Sequence, residues 1–214
     1  VNYALVITNV VIYVLGYNGS PAASSRIAGY LLDPLDPRIV QFFSSVFLHG
    51  GLMHLIGNMV FLWVFGNPVN DRLGHLGYLM FYLGGGVFAG LGYVAVGETV
   101  PALGASGAIA AVAGAFLVLL PRTRVTVLLL FLYIIMPLEI SSLLFLLLHI
   151  GWDVFMAVHT SWADAPVSVA HWAHSSGYFF GIAVAAGLLL VRLLPRDPFD
   201  LLNLLRTRHR RSRY

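Results

Sequence analysis

Four windows of this chain, residues 39–70, 73–97, 99–121 and 165–191, contain no Asp, Glu, Lys or Arg. Each exceeds the roughly 20 residues that an α-helix needs to cross the hydrocarbon of a bilayer. A helix on the surface of a soluble domain keeps one polar face towards water, and uncharged runs of this length leave little for such a face. The composition agrees, with 59% hydrophobic and 10% charged residues and a mean hydropathy of +0.85. A soluble domain sits nearer half apolar and a quarter charged. The chain reads as an all-α, polytopic membrane protein. It has no cysteine, which removes disulfides, thiolate chemistry and Cys-ligated zinc from consideration.

Hydropathy and breaker residues predict six spans, near 1–16, 50–69, 76–96, 104–120, 138–158 and 167–193. The apolar stretch 125–158 is too long for one span and carries Pro137 and Glu139 near its middle. Pro is favoured at the first helical position and an acid in the first turn. The fifth span is therefore expected to start at about Pro137, leaving 125–136 as an apolar segment at the interface. Val1 is not a start methionine, so the first apolar run reads as a span with its beginning cut off. No signal-peptide pattern is seen. The expected organisation is one membrane domain over 1–195 and a basic tail over 196–214.

All twelve basic residues are Arg. Ten of them stand in the loops after spans two and four or beyond span six, against only Arg26 and Arg38 in loop 17–49. The positive-inside rule then puts both termini in the cytoplasm. Spans two, four and six all run from outside to inside.

That topology gathers the chain's chemistry at one depth. His54 and Asn58 open span two, Ser106 opens span four, and His174 lies about two turns into span six. At 1.5 Å per residue all four fall within roughly 10–12 Å of the outer helix ends. His54 and Asn58, four apart, share a helix face. A serine hydroxyl becomes a nucleophile when a base within reach takes its proton, and imidazole is suited to that task near neutral pH. No acid lies near His174 in sequence, since Asp164 is in the preceding loop, so a Ser–His dyad without an orienting carboxylate is expected. Donors for a developing oxyanion can come from the Asn58 amide, the His54 ring and the free N–H groups where a helix begins at Ser106.

These motifs resemble the rhomboid intramembrane serine proteases over nearly the whole chain. His49-Gly50-Gly51-Leu52-Met53-His54-Leu55-Ile56-Gly57-Asn58 is similar to the family's second helix, Gly104-Ala105-Ser106-Gly107 to its Gly-x-Ser-Gly, and Ala173-His174-Ser175-Ser176-Gly177 with Gly181 to its Ala-His-x-x-Gly-x-x-x-Gly. The resemblance implies a six-helix rhomboid-like bundle with Ser106 as nucleophile and His174 as base. It implies an oxyanion hole made by His54, Asn58 and the Ala105–Ser106 backbone. Three departures stand out: loop 17–49 has no Trp, Asn70 stands where the family usually has Glu, and Ser176 where glycine is common.

The function implied is an endopeptidase that cuts single-span transmembrane substrates near their outer ends. No cofactor, metal or nucleic acid is expected, and the lipid bilayer is its surroundings. The location implied is a bacterial inner membrane. The rivals are a catalytically silent relative that binds membrane clients, and a transporter or channel, which would need ionisable groups along a path to both faces. Among the remaining residues, His49 reads as a structural hydrogen-bonder at the site's entrance. His149 and Asp153 are four apart on span five and, without a third ligand at helical spacing, read as a polar contact rather than a metal pair. His75, His159 and His171 need no function on this reading. Trp152, Trp162 and Trp172 suit interfacial anchoring. The run Arg206–Arg213 reads as a topology-setting tail.

Overall fold

The computed structural model describes residues 1–16, 27–131, 134–163 and 169–205. Their helices, in chain order, are α1 (Asn2–Gly16), α2 (Ile39–Ser44), α3 (Leu52–Leu73), α4 (His75–Ala95), α5 (Ser106–Leu119), α6 (Ser142–Ala163) and α7 (His171–Leu190). Strands β1 (Arg124–Phe131) and β2 (Ile134–Ser141) lie between α5 and α6. Single 3-10 turns occupy Ala28–Tyr30 and Ser45–Phe47. Helices α3, α4, α6 and α7 are long and apolar enough to cross a membrane, whereas α1 and α5 are apolar but shorter.

Every residue from Gly107 to Leu119 is buried, so α5 is the axis around which α3, α4, α6 and α7 pack. Its sequence, SGAIAAVAGAFLVL, explains how. Lipid tails are as apolar as leucine, so helices associate in a membrane through close van der Waals contact, which small residues permit. A Cβ built on Gly181 of α7 would collide with the Ala111 carbonyl of α5, and one on Gly177 with the Gly107 carbonyl. The two backbones therefore touch. Ser176 has a matching partner: its side chain occupies the place that a Cβ on Gly92 of α4 would take.

A polar knot holds α1 to the far half of α3. Asn2 donates to the Leu62 carbonyl at 2.9 Å and to Asn67 Oδ1 at 2.9 Å, and the Tyr78 hydroxyl donates to Asn2 Oδ1 at 2.6 Å. At the same end, Arg72 of α3 reaches Asp197 at 3.3 Å and the Pro195 carbonyl at 3.1 Å, beyond α7. Arg122 lies over the Phe199 ring, 5.5 Å from its centroid. The arginine-bearing loops thus share one end of the bundle, as the charge count requires. The stretch Arg206–Arg213 lies outside the described residues, as do Asp164 and residues 17–26 of loop 17–49.

The expected boundary of the fifth span is corrected. Strands β1 and β2 pair antiparallel, Pro137 facing Leu128 and Glu139 facing Thr126, and the helix starts at Ser142. Pro137 is therefore in a strand, and 125–131 and 134–136 are paired rather than an irregular interfacial segment. The reason lies in the residues: Val, Ile and Thr favour the pleated conformation. In a two-stranded ribbon each strand has an open edge, where a proline without an N–H is tolerated. Thr123 and buried Ser142 clamp the base, with Oγ atoms 2.9 Å apart and the Ser142 N–H on the Thr123 carbonyl at 3.0 Å.

Candidate active site

The approach to Ser106 is fixed by backbone bonds to segments far away in sequence. Leu32 and Ala102 exchange N–H···O bonds of 2.9 and 2.8 Å, and the Gly104 N–H reaches the Ser45 carbonyl at 2.9 Å. Gly104 then adopts φ +130°, a region open to glycine and strained for other residues. Buried Ala105 precedes the helix, and Ser106 is its first residue. The first N–H groups of α5 have no intrahelical partner, so they are available beside the serine.

Helix α3 brings the next two groups. Asn58 is buried, and its Nδ2 has no hydrogen-bond partner among the described residues. His54 lies one turn before it. A Cβ on Gly104 would fall 2.9 Å from His54 Nε2 and 3.6 Å from Ser106 Oγ, so ring and hydroxyl flank the same glycine. His54, Asn58, Ser106 and His174 all line one cavity of about 270 Å³, together with Met53, Gly57 and Phe61 of α3, the α5 face of Ile109, Ala110 and Ala113, and His149 and Tyr178. The sequence-predicted residues, drawn from three helices, are thus brought together. An unpaired buried amide in such a wall is an unsatisfied donor aimed where an acceptor can bind.

One residue of the site was missed by sequence reasoning. His174 does have an acid beside it: Asp153 of α6, 2% exposed, whose Oδ1 lies 3.2 Å from His174 Nδ1. The same oxygen is 2.7 Å from His171 Nδ1. The Tyr178 hydroxyl donates to Oδ2 at 3.4 Å, and His149 Nδ1 stands 3.6 Å from it. The expectation that no carboxylate stands beside His174 is corrected, because that search ran along the sequence and the acid arrives from another helix. A signal was available. Asp153 is the only acid within α6, and an ionisable residue in a membrane helix calls for a partner and a role. His171, expected to need no function, is part of the same cluster.

The metal-type donors that gather around Asp153 come from α7, and His149 is not among them. Donor atoms of Asp153, His171 and His174 lie within 4.8 Å of one another. They are already engaged with one another through the carboxylate. Both imidazoles face Oδ1 through Nδ1, so the nitrogen that His174 leaves for the cavity is Nε2.

His49 lies in the turn before α3. It is 1% exposed, and neither ring nitrogen finds a hydrogen bond among the described residues. Its ring meets that of His54 edge to face, 5.2 Å between centroids. It packs against His54 at this site, with the Phe47 backbone as a polar neighbour. Burial, with the neighbouring His54 adding to it, pushes its pKa down to about 4. Elsewhere, Asn70 is buried and pairs with His75 Nδ1 at 3.1 Å, and Trp172 donates to Ser161 at 2.8 Å.

Comparison with known proteins points the same way as this geometry. A family model described as "Rhomboid domain" matches residues 36–191. Presenilin-associated rhomboid-like protein A, mitochondrial, of Danio rerio is 30% identical over 158 residues, covering 68% of this chain and 36% of that protein. The human presenilin-associated rhomboid-like protein, mitochondrial, is 37% identical over 87 residues, covering 39% of this chain and 23% of the relative. Rhomboid-like protein 11, chloroplastic, of Arabidopsis thaliana is 35% identical over 74 residues, covering 34% and 26% respectively. The matched segments thus span between about a quarter and a third of these relatives' own lengths.

Proposed function

Because the chain belongs to the rhomboid family, we propose that it is an intramembrane serine endopeptidase that cleaves single-span membrane proteins. The observation that carries this reading is the meeting of Ser106 and His174, from α5 and α7, in the wall of one cavity that also holds the unpaired Asn58 amide.

The chemistry follows from those atoms. His174 Nε2 accepts the Ser106 hydroxyl proton as Oγ bonds to the scissile carbonyl carbon. The carbonyl oxygen becomes an oxyanion, held by the Ser106 N–H, the Asn58 amide and the His54 ring, with Ala105 shaping the backbone before them. Each such donor is worth about 3 kcal/mol in a water-poor site. The imidazolium then protonates the leaving amine. Water, activated by the same nitrogen, hydrolyses the acyl-enzyme and restores Ser106.

The arginine-rich end would face the cytoplasm, with the site near the opposite face. The matched relatives are named as mitochondrial and chloroplastic proteins. Retention of both Ser106 and His174 favours catalysis over a silent client-binding role.

The test is cleavage of a single-span substrate by protein in proteoliposomes, alongside labelling with a fluorophosphonate. Ser106→Ala is expected to lose both, and His174→Ala to lose turnover while remaining folded. Wild-type protein that binds substrate but neither cuts nor labels would replace this reading with the client-binding one.

A further inference from the structure

Asp153 puts a buried carboxylate in a helix that has no other acid. Both of its oxygens are spoken for: Oδ1 by His171 at 2.7 Å and His174 at 3.2 Å, Oδ2 by the Tyr178 hydroxyl at 3.4 Å with His149 at 3.6 Å. A charge removed from water is tolerated when it is paired and hydrogen-bonded on all sides, as this one is.

We propose that Asp153 is a positioning residue for catalysis, and that this chain works with a Ser106–His174–Asp153 triad rather than a dyad. The inference rests on the protease reading above and adds to it the group that sets the state of the base. A carboxylate accepting from Nδ1–H holds the proton on that nitrogen. The Nε2 lone pair is then left free to take the Ser106 proton. When His174 becomes an imidazolium, the same carboxylate balances the new charge without moving. His171 and Tyr178 brace the carboxylate from the α7 side, so its aim does not depend on the α6 rotamer alone. Asp153 touches no substrate; it acts through His174.

An isosteric change separates this role from a merely structural one. Asp153→Asn keeps shape and polarity, but its amide can donate to Nδ1, which moves the imidazole proton to Nε2 and removes the base. Turnover is expected to fall by about 10²–10⁴-fold, as for the same change in a serine-protease triad, with KM and melting temperature near wild type. Asp153→Glu is expected to recover part of the loss. The histidine tautomer is read directly from ¹⁵N imidazole shifts of detergent-solubilised protein, with the His174 signal assigned by its loss in His174→Ala.

Two results would overturn the proposal. One is a kcat for Asp153→Asn within a few-fold of wild type. The other is a wild-type His174 whose neutral form carries its proton on Nε2, a measurement that stands even if the Asn variant does not fold. Failure of the wild type to cut or label would instead remove the protease reading, and the tautomer would then decide on Asp153 by itself.

Discussion

Gly104 sits directly beneath the His54 ring: a Cβ on it would lie 2.8 Å from His54 Cε1 and 2.9 Å from Nε2. The same residue holds φ +130°. Two independent constraints therefore demand glycine one residue before the buried Ala105. Gly104→Ala is expected to strain the backbone by about 1–3 kcal/mol and to push the ring away from Ser106. Melting temperature and turnover should both fall, and a fully active, equally stable alanine variant would show that the loop relaxes freely.

The oxyanion donors can be tested singly. Asn58→Ala removes an amide nitrogen that has no hydrogen bond among the described residues, so little stability should be lost with it. Turnover should drop by roughly 10²–10³-fold, as for removal of one such donor elsewhere. His54→Ala is expected to fall in or below that range. Unchanged turnover in both variants would assign these side chains to packing.

His49 gives the fold a pH dependence of known sign. Its folded-state pKa is about 4, below the ordinary imidazole value near 6.5. The stabilisation from keeping this ring neutral and buried is complete above about pH 6.5. It drains away as pH falls towards 4. Melting temperatures in detergent at pH 7 and pH 4.5 should therefore diverge more for the wild type than for His49→Phe. Equal divergence in the two proteins would trace the acid sensitivity to other groups.

The contact between α5 and α7 is expected to tolerate no side chain. Gly181→Leu would drive a branched group into the Ala111 carbonyl, separating the helices that carry Ser106 and His174. Loss of turnover should accompany a lower melting temperature, whereas Gly187→Leu, where a Cβ would meet nothing within 4 Å, should be neutral by both measures.

Much of this molecule could be read from its sequence, for two physical reasons. Charge-free length is set by the bilayer, so α3, α4 and α7 were legible to within a few residues. Polar groups are expensive in lipid, so Ser106, His174, His54 and Asn58 stood out against their surroundings. What escaped notice depended on relations across the fold. Asp153 meets His174 only after α6 packs beside α7. The strands around Pro137 are apolar for the same reason a span is, and periodicity alone does not separate the two. The edge-to-face packing of His49 on His54 likewise depends on how the turn before α3 folds back.

Helix α5 has 14 residues, about 21 Å of axis at 1.5 Å per residue, against roughly 30 Å of hydrocarbon. Its final turns run into the hairpin at Arg124, and a hairpin with open strand edges has no place in hydrocarbon, where unpaired backbone groups go unsatisfied. On the proposed reading the ribbon would ride at headgroup level, like a float tied to one end of a short rod. The rod's other tip then hangs about 9 Å short of the opposite interface. Ser106 is that tip, so its depth is set by a length of chain rather than by any residue around it.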